Sequence, residues 1–125
     1  MAKTAKASKA KTAEQAMYIA KLRKVSISAR KARLVVDLVR GKKVQSAIDT
    51  LSFTHKKAAP MVKKLIESAV ANASQQATVD VDQLVVKEIY VGEGKTPYKW
   101  LPRAQGRATP MRKRSSHITV KLAEK

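Results

Sequence analysis

A chain of 125 residues with 27 Lys and Arg against 9 Asp and Glu carries a formal charge of +18, which opposes compaction of a free monomer and attracts phosphate at long range. A polyanionic partner is therefore expected, and the absence of Cys removes disulfides, thiol nucleophiles and Cys-based zinc sites. No apolar run reaches the ~20 residues of a membrane span, and no apolar segment follows the basic N-terminus as in a signal peptide, so secretion is not expected; the compartment is left open, and a reducing cytosol fits the lack of Cys.

Residues 1–20 place Lys3, Lys6, Lys9 and Lys11 among Ala, Ser and Thr, a basic extension expected to be disordered because it buries too little apolar surface to offset its ordering entropy. Residues 21–125 read as one globular domain with a single modest core. A short strand is expected over residues 22–27, carrying Arg23 and Lys24, with Val25 and Ile27 alternating. Ser28 stands as an N-cap for a helix over residues 29–40, whose apolar stripe is Ala32, Val35, Val36 and Val39, and Gly41 is its stop. The opposite face holds Arg30, Arg33, Asp37 and Arg40, with Asp37 placed to pair with Arg33. Beside Lys31, Lys42 and Lys43 that face is suited to phosphate. Val44, Ala47, Ile48 and Leu51 mark a short second helix; Ala58, Val62, Leu65, Ile66, Ala69 and Ala73 mark a third, starting near Lys57 despite Pro60, with Lys56, Lys57, Lys63 and Lys64 on its outer edge.

After a polar loop over residues 74–83, a strand is expected over residues 84–91, with a bend or bulge at the Gly92-Glu93-Gly94 run. The returning strand alternates Ile118, Val120 and Leu122 with His117, Thr119 and Lys121. Between them, residues 95–114 hold Lys95, Lys99, Arg103, Arg107, Arg112, Lys113 and Arg114 and no acid. The reading is a cationic β-hairpin over about residues 88–118. Extended over residues 89–103 at ~3.3 Å per residue, one arm spans roughly 45 Å, against a radius of gyration of ~13 Å for a domain of about 100 residues. The hairpin must project, and an isolated ribbon is marginal without an external partner. Gly106 is expected at its bend, and Tyr98 and Trp100 can stack on bases or pack across the ribbon.

Chemistry for catalysis is thin. His55 and His117 are the only histidines, with no carboxylate cluster nearby and no phosphate-cradling glycine motif, so no enzyme activity, metal or cofactor is expected. Three binding classes compete: a structured-RNA protein using charge and shape, a helix-turn-helix DNA reader turning at Arg40-Gly41-Lys42-Lys43, and a non-specific nucleoid packer. Against the DNA reader, its second helix offers Gln45, Ser46, Asp49 and Thr50, with an acid where a groove-reading helix needs Arg or Asn.

Four blocks together resemble a known family: residues 28–43 (SARKARLVVDLVRGKK), Lys56-Lys57-Ala58-Ala59, residues 67–73 (ESAVANA), and residues 101–108 (LPRAQGRA) with residues 113–120 (KRSSHITV). They are similar to bacterial large-subunit ribosomal protein twenty-two, over roughly residues 21–122. The resemblance implies an α+β fold: three helices packed on a small three-stranded antiparallel sheet, with a long protruding β-hairpin. It implies a structural constituent of the large subunit that binds rRNA during assembly, near the mouth of the peptide exit tunnel, beside neighbouring ribosomal proteins. The rRNA-binding residues expected are Arg23, Lys24, Arg30, Lys31, Arg33, Arg40, Lys42, Lys43, Lys56, Lys57, Lys95, Lys99, Arg103, Arg107, Arg112, Lys113, Arg114 and His117. The tip, Arg103, Ala104, Gln105, Gly106, Arg107 and Ala108, with Pro97, Tyr98 and Lys99, would line the tunnel and meet the nascent polypeptide. The Pro97-Tyr98-Lys99-Trp100 and Thr109-Pro110-Met111 segments depart from the commonest family pattern and leave the pairing there open, since Pro97 and Pro110 each remove a ladder donor.

Overall fold

The computed structural model describes residues 17–76 and 78–125, so the disorder expected of residues 1–16 lies outside the described residues. The elements in chain order are β1 (Tyr18–Val25), α1 (Ala29–Val39), α2 (Val44–Phe53), α3 (Ala58–Ser74), β2 (Leu84–Glu93), β3 (Tyr98–Pro102), β4 (Ala108–Arg112) and β5 (Ser116–Glu124). β5 lies between β1 and β2 and is antiparallel to both, while β3 and β4 form a separate two-stranded ribbon. This is the expected α+β arrangement, three helices and a small three-stranded sheet extended by a hairpin.

The core follows from two periodicities. Along β5, Ile118, Val120 and Leu122 point inward and are buried, while His117, Thr119 and Lys121 alternate with them on the other face. The stripes Ala32-Val35-Val36-Val39 of α1 and Ala58-Val62-Leu65-Ile66-Ala69-Ala73 of α3 are likewise buried. α3 packs on β1 and β5, α1 on β2, and α2 on α3. Pro60 falls in the first turn of α3, where its missing N–H has no intrahelical acceptor to lose, so the helix runs unbroken from Ala58.

Several expectations are corrected. β1 begins at Tyr18 rather than Leu22, because Tyr18 and Ala20 face the core and pair with Leu122 and Val120; these residues belong to the sheet and not to the basic extension. The Gly92-Glu93-Gly94 run carries no bulge, since Gly92 and Glu93 stay in register with His117 and Ser116. The register shift lies between Val86 and Glu88. Inward residues there are Leu84, Val86 and then Ile89, and an inserted residue is what returns Ile89 to the core side. β1 shifts in the same way between Leu22 and Val25, with Lys24 in the left-handed region at φ 56°.

Local signals hold at the ends of α1. The Ser28 hydroxyl accepts from the Lys31 N–H at 3.4 Å, and Gly41 takes φ +76°. The Gly41 N–H donates to Val86 O at 3.0 Å, and the Val86 N–H donates to Lys42 O at 2.9 Å. The turn between α1 and α2 is thereby stitched to the edge of β2, which removes the free-standing helix-turn-helix that a DNA reader presents.

Candidate nucleic-acid interface

The ribbon is rooted by close backbone contacts. Gly94 N–H donates to Ser115 O at 2.9 Å, and the Ser115 hydroxyl donates to Lys95 O at 2.6 Å. A Cβ at position 94 would lie 2.5 Å from Ser115 Oγ and 3.2 Å from His117 Nε2, so a larger residue there would have to displace the Ser115 hydroxyl from Lys95 O. Next to it, His117 Nδ1 accepts the Lys24 N–H at 3.0 Å and so fastens the bulge of β1. This acceptor role puts the proton of a neutral ring on Nε2. His117, expected among the RNA contacts, is thus already engaged in holding the root.

Beyond the root, Lys113 N–H donates to Pro97 O at 2.9 Å and Arg103 N–H to Arg107 O at 2.7 Å. Antiparallel ladders alternate hydrogen-bonded and non-hydrogen-bonded pairs. The register from Tyr98↔Arg112 to Pro102↔Ala108 therefore puts Trp100↔Pro110 and Pro102↔Ala108 at non-hydrogen-bonded rungs. Pro102 and Pro110 stand where an N–H would point away from the partner strand, and Pro97 is used only as an acceptor. The ladder accommodates all three. Tyr98 and Trp100 share one face, opposite Arg112 and Pro110, yet remain 59% and 67% exposed. The bend uses two left-handed residues, Gly106 at φ +69° as expected and also Gln105 at φ 60°.

A large open cleft of about 1350 Å³ separates the ribbon's root from the domain. Its domain wall, called the helical wall for the ends of α1 and α3 within it, carries Lys24 from the end of β1, Lys31 from α1, and Lys56 and Lys57 just before α3, and its ribbon wall carries Lys95, Lys99, Arg112, Lys113 and Arg114. No acidic side chain lines it among the described residues. All nine of these cations were among the expected RNA contacts, and the fold brings them to one place from four separate stretches of chain. The first turns of α1 and α3 also reach the cleft, through Ser28 and Ala58, and their dipoles add positive potential.

The other expected contacts lie elsewhere. Arg33 Nη2 donates to Val91 O at 3.1 Å and Arg40 Nη2 to Ile89 O at 3.2 Å, so both hold the β2 edge. The expected Arg33–Asp37 pair is absent for that reason, and Asp37 instead meets Arg40 at 2.8 Å. Lys42 reaches Thr50 at 3.4 Å, and Lys43 precedes α2 and bridges to Val85. Arg23 and Arg30 are exposed on β1 and α1, and Arg103 and Arg107 flank the tip. Pro97 and Lys99 line the cleft at the root, away from the tip residues with which they were grouped. Ile27, Leu34 and Ser115 also line the cleft and were missed. Leu34 carried a readable signal, an apolar residue off the buried stripe of α1.

On the open face of the sheet, Lys121 Nζ lies 2.8 Å from Glu88 Oε2 and the Tyr90 hydroxyl donates to the same oxygen. The bonds from Lys121 and Tyr90 hold the Glu88 carboxyl below its ordinary range, and the Glu88 carboxylate pushes the Lys121 ammonium and the Tyr90 phenol up. The one acid in this patch is thereby neutralised locally. Among the described residues no cluster of His, Asp and Glu could hold a metal ion, and no helix is long and apolar enough to cross a membrane.

A domain of this charge, with a cationic ribbon standing off a packed core and a cleft lined by nine cations, defines a protein that binds a polyanion by shape and charge. The sequence profile of ribosomal protein L22p/L17e matches residues 20–123, and the chain belongs to that family. It is 57% identical over 106 residues to the large ribosomal subunit protein uL22 of Syntrophotalea carbinolica, covering 85% of this chain and 96% of that protein. The uL22 protein of Bdellovibrio bacteriovorus matches with the same identity and coverage.

Proposed function

We propose that the cleft and the ribbon are the two surfaces with which this structural constituent of the large ribosomal subunit grips ribosomal RNA. The observation that carries the reading is the convergence of nine cations on one cleft with no acid beside them. The cations neutralise phosphate and allow RNA segments to approach during assembly; the ribbon threads onward between them. Its tip, Arg103 to Ala108, lines the peptide exit tunnel, with Tyr98 lower on the same ribbon, where it meets the nascent polypeptide and neighbouring ribosomal proteins. The work is structural, in the cytoplasmic ribosome, and needs no catalytic group.

The test is a salt titration of binding to large-subunit rRNA. Neutralising Arg112, Lys113 and Arg114 to Gln should weaken binding and flatten the dependence of log K on log salt by about two to three units, from ~0.7 to 0.9 per phosphate contact. An unchanged slope means that these charges are merely solvated and that the cleft does not take phosphate.

A further inference from the structure

The cleft holds a feature that phosphate alone does not account for. Leu34 is 64% exposed amid the cations of the helical wall, and Pro97, also exposed, stands on the ribbon wall of the same cleft. Ile27 and Ala58, both largely buried in the core, also line the cleft. A duplex offers such a surface only charged backbone and hydroxyls, because its bases are stacked away from side chains. An unpaired nucleotide offers an apolar base face and a phosphate together, which is the combination this cleft presents. Its volume of about 1350 Å³ exceeds the ~300–1,000 Å³ usual for small-molecule pockets, and it is open, so a length of polymer fits better than a free nucleotide.

Building on the RNA-binding reading above, we infer that the cleft is a seat for single-stranded RNA, with one unstacked base held between Leu34 and Pro97 and the flanking phosphates on the two cationic walls. Since one wall belongs to the domain and the other to the ribbon, the seated strand also fixes the angle at which the ribbon leaves the domain.

The experiment compares two probes with the full chain: a single-stranded RNA of about a dozen nucleotides, within the usual span of single-strand sites, carrying 2-aminopurine at its centre, and a duplex of the same length. Binding of the single strand should change the 2-aminopurine fluorescence. Leu34→Ala should weaken single-strand binding about five- to tenfold, as expected for half-burying the carbons removed, and leave duplex binding unchanged; Leu34→Met should restore most of the loss. Because Leu34 is exposed, the variant keeps its core. In assembled large subunits, a benzophenone amino acid replacing Leu34 should crosslink to an unpaired nucleotide. Equal loss for both probes, no loss for either, or a crosslink to a paired nucleotide or to an acidic protein segment would overturn the seat while leaving RNA binding by the basic surface intact. Failure to bind either RNA would overturn the RNA-binding reading itself.

Discussion

The domain and the ribbon are built from one chain by opposite means. In the domain, Ile66, Val62, Leu84, Val120 and Leu122 are fully buried and hold the helices to the sheet. In the ribbon, every residue of β3 and β4 is exposed. Apolar burial fixes the first without help; the second has a defined register but no core, and two strands alone are marginal in water. The fold thus sets a part held by its own core beside a part that has a register but no core to hold it.

The sharpest way to break this contrast is to truncate one large side chain in each region. Ile66→Ala should cost about 2–5 kcal/mol, because it opens a cavity under α3, whereas Trp100→Ala should change global stability by no more than about 0.5 kcal/mol. Urea unfolding followed by circular dichroism measures both. Comparable losses would mean that the ribbon packs on the domain after all. Amide exchange on the free protein reads the same contrast, with protection in α3 and β5 and little across residues 95–114.

A smaller effect is expected where the two regions join. His117→Ala removes the acceptor for the Lys24 N–H and frees the left-handed bulge of β1, which should cost about 1–2 kcal/mol in the same unfolding experiment. Amide exchange should quicken at Lys24 and leave α3 untouched; no change at Lys24 would refute the clamp. Smallest is the response at Ser116, whose hydroxyl is fully buried without a hydrogen-bond partner. Ser116→Ala should leave stability equal or raise it by about 0.5–1 kcal/mol, since an unpaired buried hydroxyl carries a desolvation cost. A loss of stability would reveal a partner for it.

Most of the domain was legible in the sequence because its helices obey a simple period. The stripes of α1 and α3, the Ser28 cap and the Gly41 stop need only neighbours along the chain, and each is where periodicity puts it. The bulges were harder: the step from Val86 to Ile89 breaks the alternation by one residue, a signal easily absorbed into an unbroken strand. Tyr18 and Ala20 were hidden by the basic composition around them. The cleft was legible as charge but not as a place, since Lys31, Lys56, Lys95 and Arg112 come together only through the packing of α1, α3 and the ribbon root. Arg33 and Arg40 mark the limit of reading charge from sequence, because the backbone carbonyls of β2 that engage them carry no residue-type signal.

The prolines of the ribbon have a consequence for the protein before it meets RNA. Each strand of a two-stranded ribbon has an outer edge whose unpaired N–H and C=O groups invite another chain to add on. Pro102 and Pro110 sit at the rungs whose N–H would face outward, so neither edge offers an uninterrupted row of donors, and the nearby Arg and Lys side chains repel a second copy. Before it reaches its ribosomal site, the arm thus presents no continuous edge onto which a second copy could add.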